Sequence, residues 1–356
     1  MKRNRVRMGI IMMLMVSVLA LMAGCGKTEQ AKGAETTNPS VENEPVEAVS
    51  PKDETDLANS HYPVVIQTYN YAKEPIEVTF NKAPERVFAV YQDSIETLLA
   101  LGLEDKIIAS AGLDQDVKPD YQQAFEKINY LTEFSPDKES VVMMEPDFIL
   151  SWYSYFSDKK LGDVDYWHER NIGTYMMMNS GAAPSRTLEN EYTDILNLGK
   201  IFDVEEKAES IVAEMKAEVQ NIVDSASNMV EKPSVLVMEV EKDGVRVYGE
   251  NTLGGDMVKA LGANLVVAPE NQMSSEALIE ANPDVIFTVY FGSSSSVADA
   301  EAAVDSLMSE PKYASLSAVK NNRVYAISLG EMYCSGTRTL DGIKKLAEGI
   351  YPDLTE

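Results

Sequence analysis

The sequence predicts an α/β fold: two Rossmann-like lobes with mostly parallel sheets, joined by a single long interlobe helix. Three observations predict it. Short continuous apolar runs alternate with stretches of helical spacing, the grammar of parallel strands covered by helices. That grammar occurs twice and carries a repeated unit. ESVVMMEPDFILS (139–151) and SEALIEANPDVIFTV (275–289) each set a glutamate, Glu139 and Glu276, seven residues ahead of a Pro-Asp pair and an apolar run. Between the two halves lies one long amphipathic stretch.

Taken in order, YPVVIQTYN and IEVTF alternate in polarity across a turn at Lys73-Glu74-Pro75 and predict a hairpin. Val87–Val90 is a short apolar strand. Ile95, Leu98, Leu99 and Leu101 then follow helical spacing, with Gly102 placed to stop the helix and a strand resuming at 107–109. A helix over 139–144 and strands over 148–151 and 174–178 complete the first lobe. In the second, SVLVMEV and VRVYG are strands about a turn at Lys242-Asp243-Gly244, LGGDMVKALGANLVV is helix, stop and strand, and NNRVYAIS closes the sheet. For the mid-chain helix, Asp203 and Glu206 form a capping-box pattern. Ala208, Ile211, Val212, Met215, Val219, Ile222 and Val223 then repeat on one face. Over 204–226 such a helix spans roughly 35 Å at 1.5 Å per residue, a strut that resists hinge opening. The resulting divisions are a leader (1–24), an acidic tether (25–60), an N-terminal lobe (61–186), linking helices (187–230) and a C-terminal lobe (231–356).

The first residues address the chain. Lys2, Arg3, Arg5 and Arg7 precede an apolar run over 8–21, too short to cross a bilayer as a helix, and then Met22-Ala23-Gly24-Cys25. Small residues before a cysteine resemble the lipobox of bacterial lipoproteins, with Met22 a less usual first residue. The resemblance implies lipidation of Cys25 and anchorage on the extracytoplasmic face of the cell membrane. Residues 26–60, rich in Glu, Thr, Ser and Pro, lack the apolar side chains to offset their ordering entropy. Net charge is −26, or −30 without the leader's four basic residues, which excludes nucleic acid as a partner. With Cys25 used as an anchor, Cys334 has no intramolecular disulfide partner. Two histidines, His61 and His168, argue against a metal site built on several of them, and no metal ligand set is assigned.

Ligands of open parallel sheets bind beyond the carboxyl ends of the strands. Those positions hold Tyr91, Gln92, Gly112, Asp114, Trp152, Tyr153, Tyr155, Asn179 and Ser180 in the first lobe. In the second they hold Tyr248, Tyr290, Phe291, Tyr333 and Arg338. Aromatic residues accumulate there, as a cleft for a large, flat or greasy chelate requires. Any one of them alone is as well explained by the core. Arg170, Arg186 and Arg246 are further cationic candidates; so few arginines favour a hydroxamate-like chelate over an anionic catecholate. Met176, Met177, Met178 and Met332 raise axial ligation of haem, although methionines at such spacing also serve as adaptable packing. Cobalamin, neutral and large, is a further alternative.

For the repeated glutamates the simplest reading is a carboxylate favoured by the helix N-terminus. Yet APERVFAV, IETLLALGLEDKIIA, both Glu-x6-Pro-Asp units, the mid-chain helix and GTRTLDGIKKLAEGIYPDL together resemble the solute-binding lipoproteins of ABC importers for ferric siderophores, haem and cobalamin. The resemblance runs over about 62–354. It implies two lobes bridged by one helix, a monomer, and a ligand that brings its own metal (iron, alternatively cobalt), with no cofactor of the protein's own. It also implies that Glu139 and Glu276, one on each lobe tip, meet arginines on the two subunits of a permease dimer. No G-x-x-x-x-G-K-[ST] phosphate loop and no G-x-S-x-G elbow occurs, and the Gly pair of LGGDMV is uninformative, so a carrier is expected rather than an enzyme. A lipid-anchored chelatase and a sensor domain are the alternatives from other classes.

Overall fold

The computed structural model describes residues 61–354. The leader, Cys25 and the acidic tether lie outside the described residues.

The chain enters through a hairpin, β1 (Val64–Tyr69) and β2 (Pro75–Phe80), paired antiparallel in the register Val64 to Phe80. The first lobe then runs β3 (Val87–Val90), α1 (Gln92–Ala100), β4 (Ile107–Ala111), α2 (Gln122–Phe125), α3 (Lys138–Met143), β5 (Phe148–Ser151), α4 (Asp165–His168) and β6 (Gly173–Met176). Its sheet is wholly parallel in the order β4-β3-β5-β6. Val87–Val90 and Phe148–Ser151 are buried at every position, as their unbroken apolar runs require with helices on both faces.

Two helices follow, α5 (Leu188–Phe202) and α6 (Glu205–Ser225). The long helix starts where its apolar face predicts, and Ala208, Val212, Met215 and Ile222 are buried. Its start is made differently. Asp203 is not a cap; it is the left-handed residue that ends α5 (φ 56°, ψ 46°), and Val204 precedes α6 with no side-chain cap. Aspartate tolerates this conformation better than most residues, so a tight corner replaces the expected capping box.

The second lobe comprises β7 (Ser234–Glu241), β8 (Gly244–Val247), α7 (Leu253–Ala260), β9 (Asn264–Leu265), β10 (Gln272–Met273), α8 (Ser275–Ala281), β11 (Val285–Tyr290), α9 (Val297–Met308), α10 (Ser317–Lys320), β12 (Val324–Ser328) and α11 (Thr339–Ile350). Its sheet is mixed. β7, β11 and β12 are parallel neighbours, while β8 returns antiparallel to β7 and β10 antiparallel to β8. One edge of β7 is shared, pairing with β9 at Ser234–Val235 and with β8 from Met238 onward.

The repeated unit has the same anatomy in both lobes. Asp137 and Ser274 cap α3 and α8, accepting from the backbone N–H groups of Ser140 and Ala277 at 2.8 and 3.2 Å. Glu139 and Glu276 fall in the first turn and are exposed. Val141 and Leu278, two residues on, are wholly buried. Each helix stops at a left-handed residue, Glu145 (φ 51°) or Asn282 (φ 41°), ahead of a buried proline. The aspartate then clamps the neighbouring strand. Asp147 accepts from the backbone of Glu85 and Arg86 at 2.9 and 2.8 Å, just before β3, and Asp284 accepts from Ser234 at the start of β7 at 2.8 Å.

Candidate functional site

The carboxyl ends of the two sheets face each other across a cleft of about 440 Å³ lined by Gln92, Asp93, Asp114, Gln115, Trp152, Arg246, Tyr248, Phe291, Gly292, Leu329, Gly330, Tyr333, Cys334 and Ser335. Of the residues expected there from sequence, Gln92, Asp114, Trp152, Tyr248, Phe291 and Tyr333 line it. Trp152 and Tyr333 approach ring to ring at 6.3 Å across the lobes, and Phe291 stands at the rim, 58% exposed.

Tyr91 sits behind this wall, 4.9 Å from the Trp152 ring. Its backbone is strained: φ is +78° at the residue before α1, a conformation bulky side chains rarely adopt and one that costs on the order of 1–3 kcal/mol. Its N–H is bound to the Ala111 carbonyl at 3.0 Å, which holds the strand end and the helix start in this arrangement. Tyr155 lies deeper, wholly buried, with its hydroxyl donated to the Pro136 carbonyl and its ring against Tyr91. It supports the wall from within the core because the chain turns inward after Trp152. Tyr153 points away to stack on Tyr71 at 4.9 Å, nearly parallel. Tyr290 is buried beside the cleft and gives its hydroxyl to the Ser294 carbonyl at 3.3 Å.

Arg338 has a different partner from the one sequence position implied. Its guanidinium forks onto Glu96 at 2.6 and 2.7 Å, with both side chains buried, and also meets Gln115, Ser294 and the Asp116 carbonyl. A guanidinium already paired bidentately inside the protein is a tie between lobes rather than a free cation for a ligand. Gln115 completes the tie, its side-chain oxygen accepting from Ser294 N–H at 2.8 Å. Close approach is built into the backbone here. A Cβ on Gly330 would fall 2.2 Å from the Gln115 amide, and one on Gly336 (φ +52°) 2.6 Å from Thr97 Oγ1.

Beneath the aromatic wall is a buried acidic chain that the sequence did not reveal. Asp93 accepts from Trp152 Nε1 at 2.6 Å and from Cys334 Sγ at 3.0 Å. Burial raises its pKa to about 6. Glu191, on α5, accepts from the backbone of Ser335 and Gly336 and from Asn179, and burial pushes it to about 7. Asp194, next along α5, is held well above the usual carboxylate range by burial and by Glu191. Cys334 is buried, and burial and Asp93 push its thiol up, which disfavours the reactive thiolate. A faint signal existed for Asp93, which adjoins Gln92 at the start of a helix following a strand end. None existed for Gln115, which lies in a loop without periodicity.

The remaining candidates fall elsewhere. Met176, Met177 and Met332 are wholly buried and Met178 is half-buried, none lining the cleft, so the arrangement that would offer their sulfurs to a haem iron is not formed. Arg246 reaches the cleft. Arg186 lies over the Tyr333 ring at 4.1 Å and donates to its hydroxyl, while Arg170 lies over the Tyr166 ring at 3.7 Å. His168 is half-buried against Thr174 at 2.8 Å. Glu139 and Glu276 are exposed, and among the described residues neither is ion-paired. No described helix is long and apolar enough to cross a membrane.

Comparison with known proteins places this architecture. The profile of the family described as "Periplasmic binding protein" matches residues 87–328, from the first strand of the parallel sheet to the last strand of the mixed one. The chain belongs to the periplasmic binding protein family. A crystal structure of a periplasmic binding protein from Veillonella parvula is 34% identical, covering 82% of this chain and 92% of that one, with a TM-score of 0.76. The "Uncharacterized ABC transporter substrate-binding lipoprotein YvrC" of Bacillus subtilis is 24% identical over 98% of both chains. The crystal structure of the petrobactin-binding protein YclQ from Bacillus subtilis shares the fold at 20% identity and a TM-score of 0.56, covering 83% of this chain and 99% of that one. Members of this family are binding proteins.

Proposed function

We propose that this protein is a lipid-anchored extracytoplasmic carrier. In this reading it captures a weakly charged metal chelate, a ferric siderophore of the hydroxamate kind, and delivers it to an ABC importer without chemical change. The observation that carries the reading is the composition of the cleft. Four aromatic rings (Trp152, Tyr248, Phe291 and Tyr333) surround a floor whose charged groups are Asp93, Asp114 and Arg246. Aromatic walls suit a greasy chelate. One arginine among two carboxylates opposes a strongly anionic one, and Arg338, which could have added charge, is consumed by Glu96.

The relatives support the chelate class. Petrobactin-binding YclQ and the Fe(3+)-citrate-binding protein YfmC of Bacillus subtilis are 25% and 21% identical over 72% and 70% of this chain. The metal belongs to the cargo, iron or alternatively the cobalt of a corrinoid. Lobes bounded at 61–186 and 231–356, linked through 187–230, would present Glu139 and Glu276 to arginines of a permease dimer. Exposed carboxylate–arginine pairs contribute about 0–1 kcal/mol each, enough to orient a monomeric carrier without trapping it. Lipidation of Cys25 would hold the carrier at the membrane through the tether 25–60.

Titration of Trp152 fluorescence distinguishes the ligands. A ferric hydroxamate is expected to quench emission stoichiometrically and be released unchanged, with weaker response to ferric catecholates, haem and cobalamin. Preference for a catecholate overturns the charge argument, and release of an altered or newly metallated chelate identifies a chelatase.

A further inference from the structure

Apart from the cleft, one cluster gathers metal-ligating side chains. Among the described residues, the one group of three such side chains with ligand atoms within 4.8 Å of one another is His61, Asp203 and Glu205. His61 enters with the first described residues of the chain; Asp203 and Glu205 flank the corner between α5 and α6. Nε2 of His61 lies 2.7 Å from the Lys200 carbonyl oxygen, which can only accept, so Nε2 carries a hydrogen. The Tyr62 ring meets the imidazole edge-on at 4.5 Å, and its hydroxyl is fixed to the next carbonyl, that of Ile201, at 2.8 Å. The imidazole is thus oriented from behind in the manner of a metal ligand whose second nitrogen is held by a backbone carbonyl.

Its other nitrogen, Nδ1, faces two carboxylate oxygens at nearly equal distance, 3.4 Å to Asp203 Oδ1 and 3.3 Å to Glu205 Oε1. A charge-assisted N–H···O bond closes to about 2.7–2.9 Å, and one ring proton points at one partner. Neither contact is that short and neither is favoured. Ligands bound to Zn²⁺ at about 2.0–2.1 Å in a tetrahedron stand about 3.3–3.4 Å apart. The two measured separations match edges of that tetrahedron in length. Three electron-pair donors otherwise face one another at this corner.

We infer that His61, Asp203 and Glu205 form a divalent transition-metal site, of the kind Zn²⁺ occupies, with its fourth position open to water. Imidazole among the ligands selects such an ion over Ca²⁺ or Mg²⁺, which take shells of oxygen atoms. The ion fastens the first described residues of the chain onto the corner that begins the interlobe helix. This site is separate from the ligand cleft, since none of its residues lines the latter.

The test is calorimetric titration of the purified, chelator-stripped chain with Zn²⁺, with Ca²⁺ and Mg²⁺ as comparisons and thermal melts alongside. One Zn²⁺ per chain is expected, with a melting temperature that rises with Zn²⁺ concentration. His61→Gln and the double variant Asp203→Asn with Glu205→Gln should each weaken binding at least about tenfold. Both variants should melt as the metal-free parent does and keep chelate binding. Absence of Zn²⁺ binding, Zn²⁺ affinity unchanged in both variants, or an equal response to Ca²⁺ overturns the assignment.

Discussion

The tip helix of the first lobe and that of the second share a backbone but not the side chains that secure it. At the first tip, Arg86 reaches across to the carbonyls of Met144 and Glu145, at 2.6 and 2.7 Å, to satisfy the end of α3. At the second, Asn282 does comparable work itself, exchanging two 2.8 Å hydrogen bonds with Ser317. The left-handed position is a glutamate in one copy and an asparagine in the other; the strand clamp takes two backbone amides in one, and an amide and a hydroxyl in the other. Where the fold must secure a helix end the two lobes use different residues, whereas the strand start is clamped by an aspartate in both, Asp147 and Asp284, each with a visible structural task. Glu139 and Glu276 secure neither, since each is exposed, and among the described residues neither is ion-paired. That they are nevertheless the same residue at the same helical position favours a shared external role.

The largest effect should come from removing both. Glu139→Ala with Glu276→Ala is expected to reduce chelate uptake to background while chelate affinity is kept and stability falls by less than about 2 kcal/mol, up to about 1 kcal/mol for each carboxylate at a helix N-terminus. Uptake measured in cells, beside binding by the purified variant, separates docking from folding. Normal uptake by the double variant would leave the helix dipole as the whole reason for both residues.

The likeness of the lobes ends at the cleft, and so does the reach of sequence reasoning. Strands, the long helix and both Glu-to-Pro-Asp helices were legible because burial imposes a period on apolar residues and because Pro-Asp marks a strand start. The cleft was legible where a residue lies shortly after the end of a strand, as at Gln92, Asp114, Trp152, Tyr248, Phe291 and Tyr333. Tyr155 and Arg338 follow the same rule of position yet are taken up by core and lobe tie. Their partners, Pro136 and Glu96, are set by tertiary contact and have no periodic signature. The acidic chain of Asp93, Glu191 and Asp194 joins residues about a hundred positions apart and could not be assembled from local pattern.

That chain gives the next test. The folded-state pKa of Asp93 is raised to about 6 from a reference of 3.8. The folded protein therefore holds this proton more tightly than the unfolded chain. Stability from this group is fully present below about pH 4 and is lost as pH rises through 6, a change of up to about 3 kcal/mol. Asp93→Asn, which keeps an acceptor for Trp152 Nε1, is expected to flatten this part of a urea-stability profile, leaving the shallower fall toward pH 7 that Glu191 imposes. Trp152 emission should titrate near pH 6 in the parent and not in the variant. An unchanged profile would mean that Asp93 is ionised throughout.

The smallest effect sharpens the comparison of the tips. Both helices end at a non-glycine residue with positive φ, where glycine is free of the Cβ clash that costs other residues roughly 1 kcal/mol. Glu145 has no side-chain hydrogen bond among the described residues, so Glu145→Gly should stabilise the protein by a few tenths to about 1 kcal/mol. Asn282 tolerates the conformation and holds Ser317, so Asn282→Gly should give no gain or a loss of about 0.5–1 kcal/mol from the hydrogen bonds removed. Equal changes in the midpoint of denaturant unfolding would show that the Asn282–Ser317 pair contributes nothing. Opposite signs would show that one backbone shape is held by strain tolerated at the first tip and by a specific side-chain contact at the second.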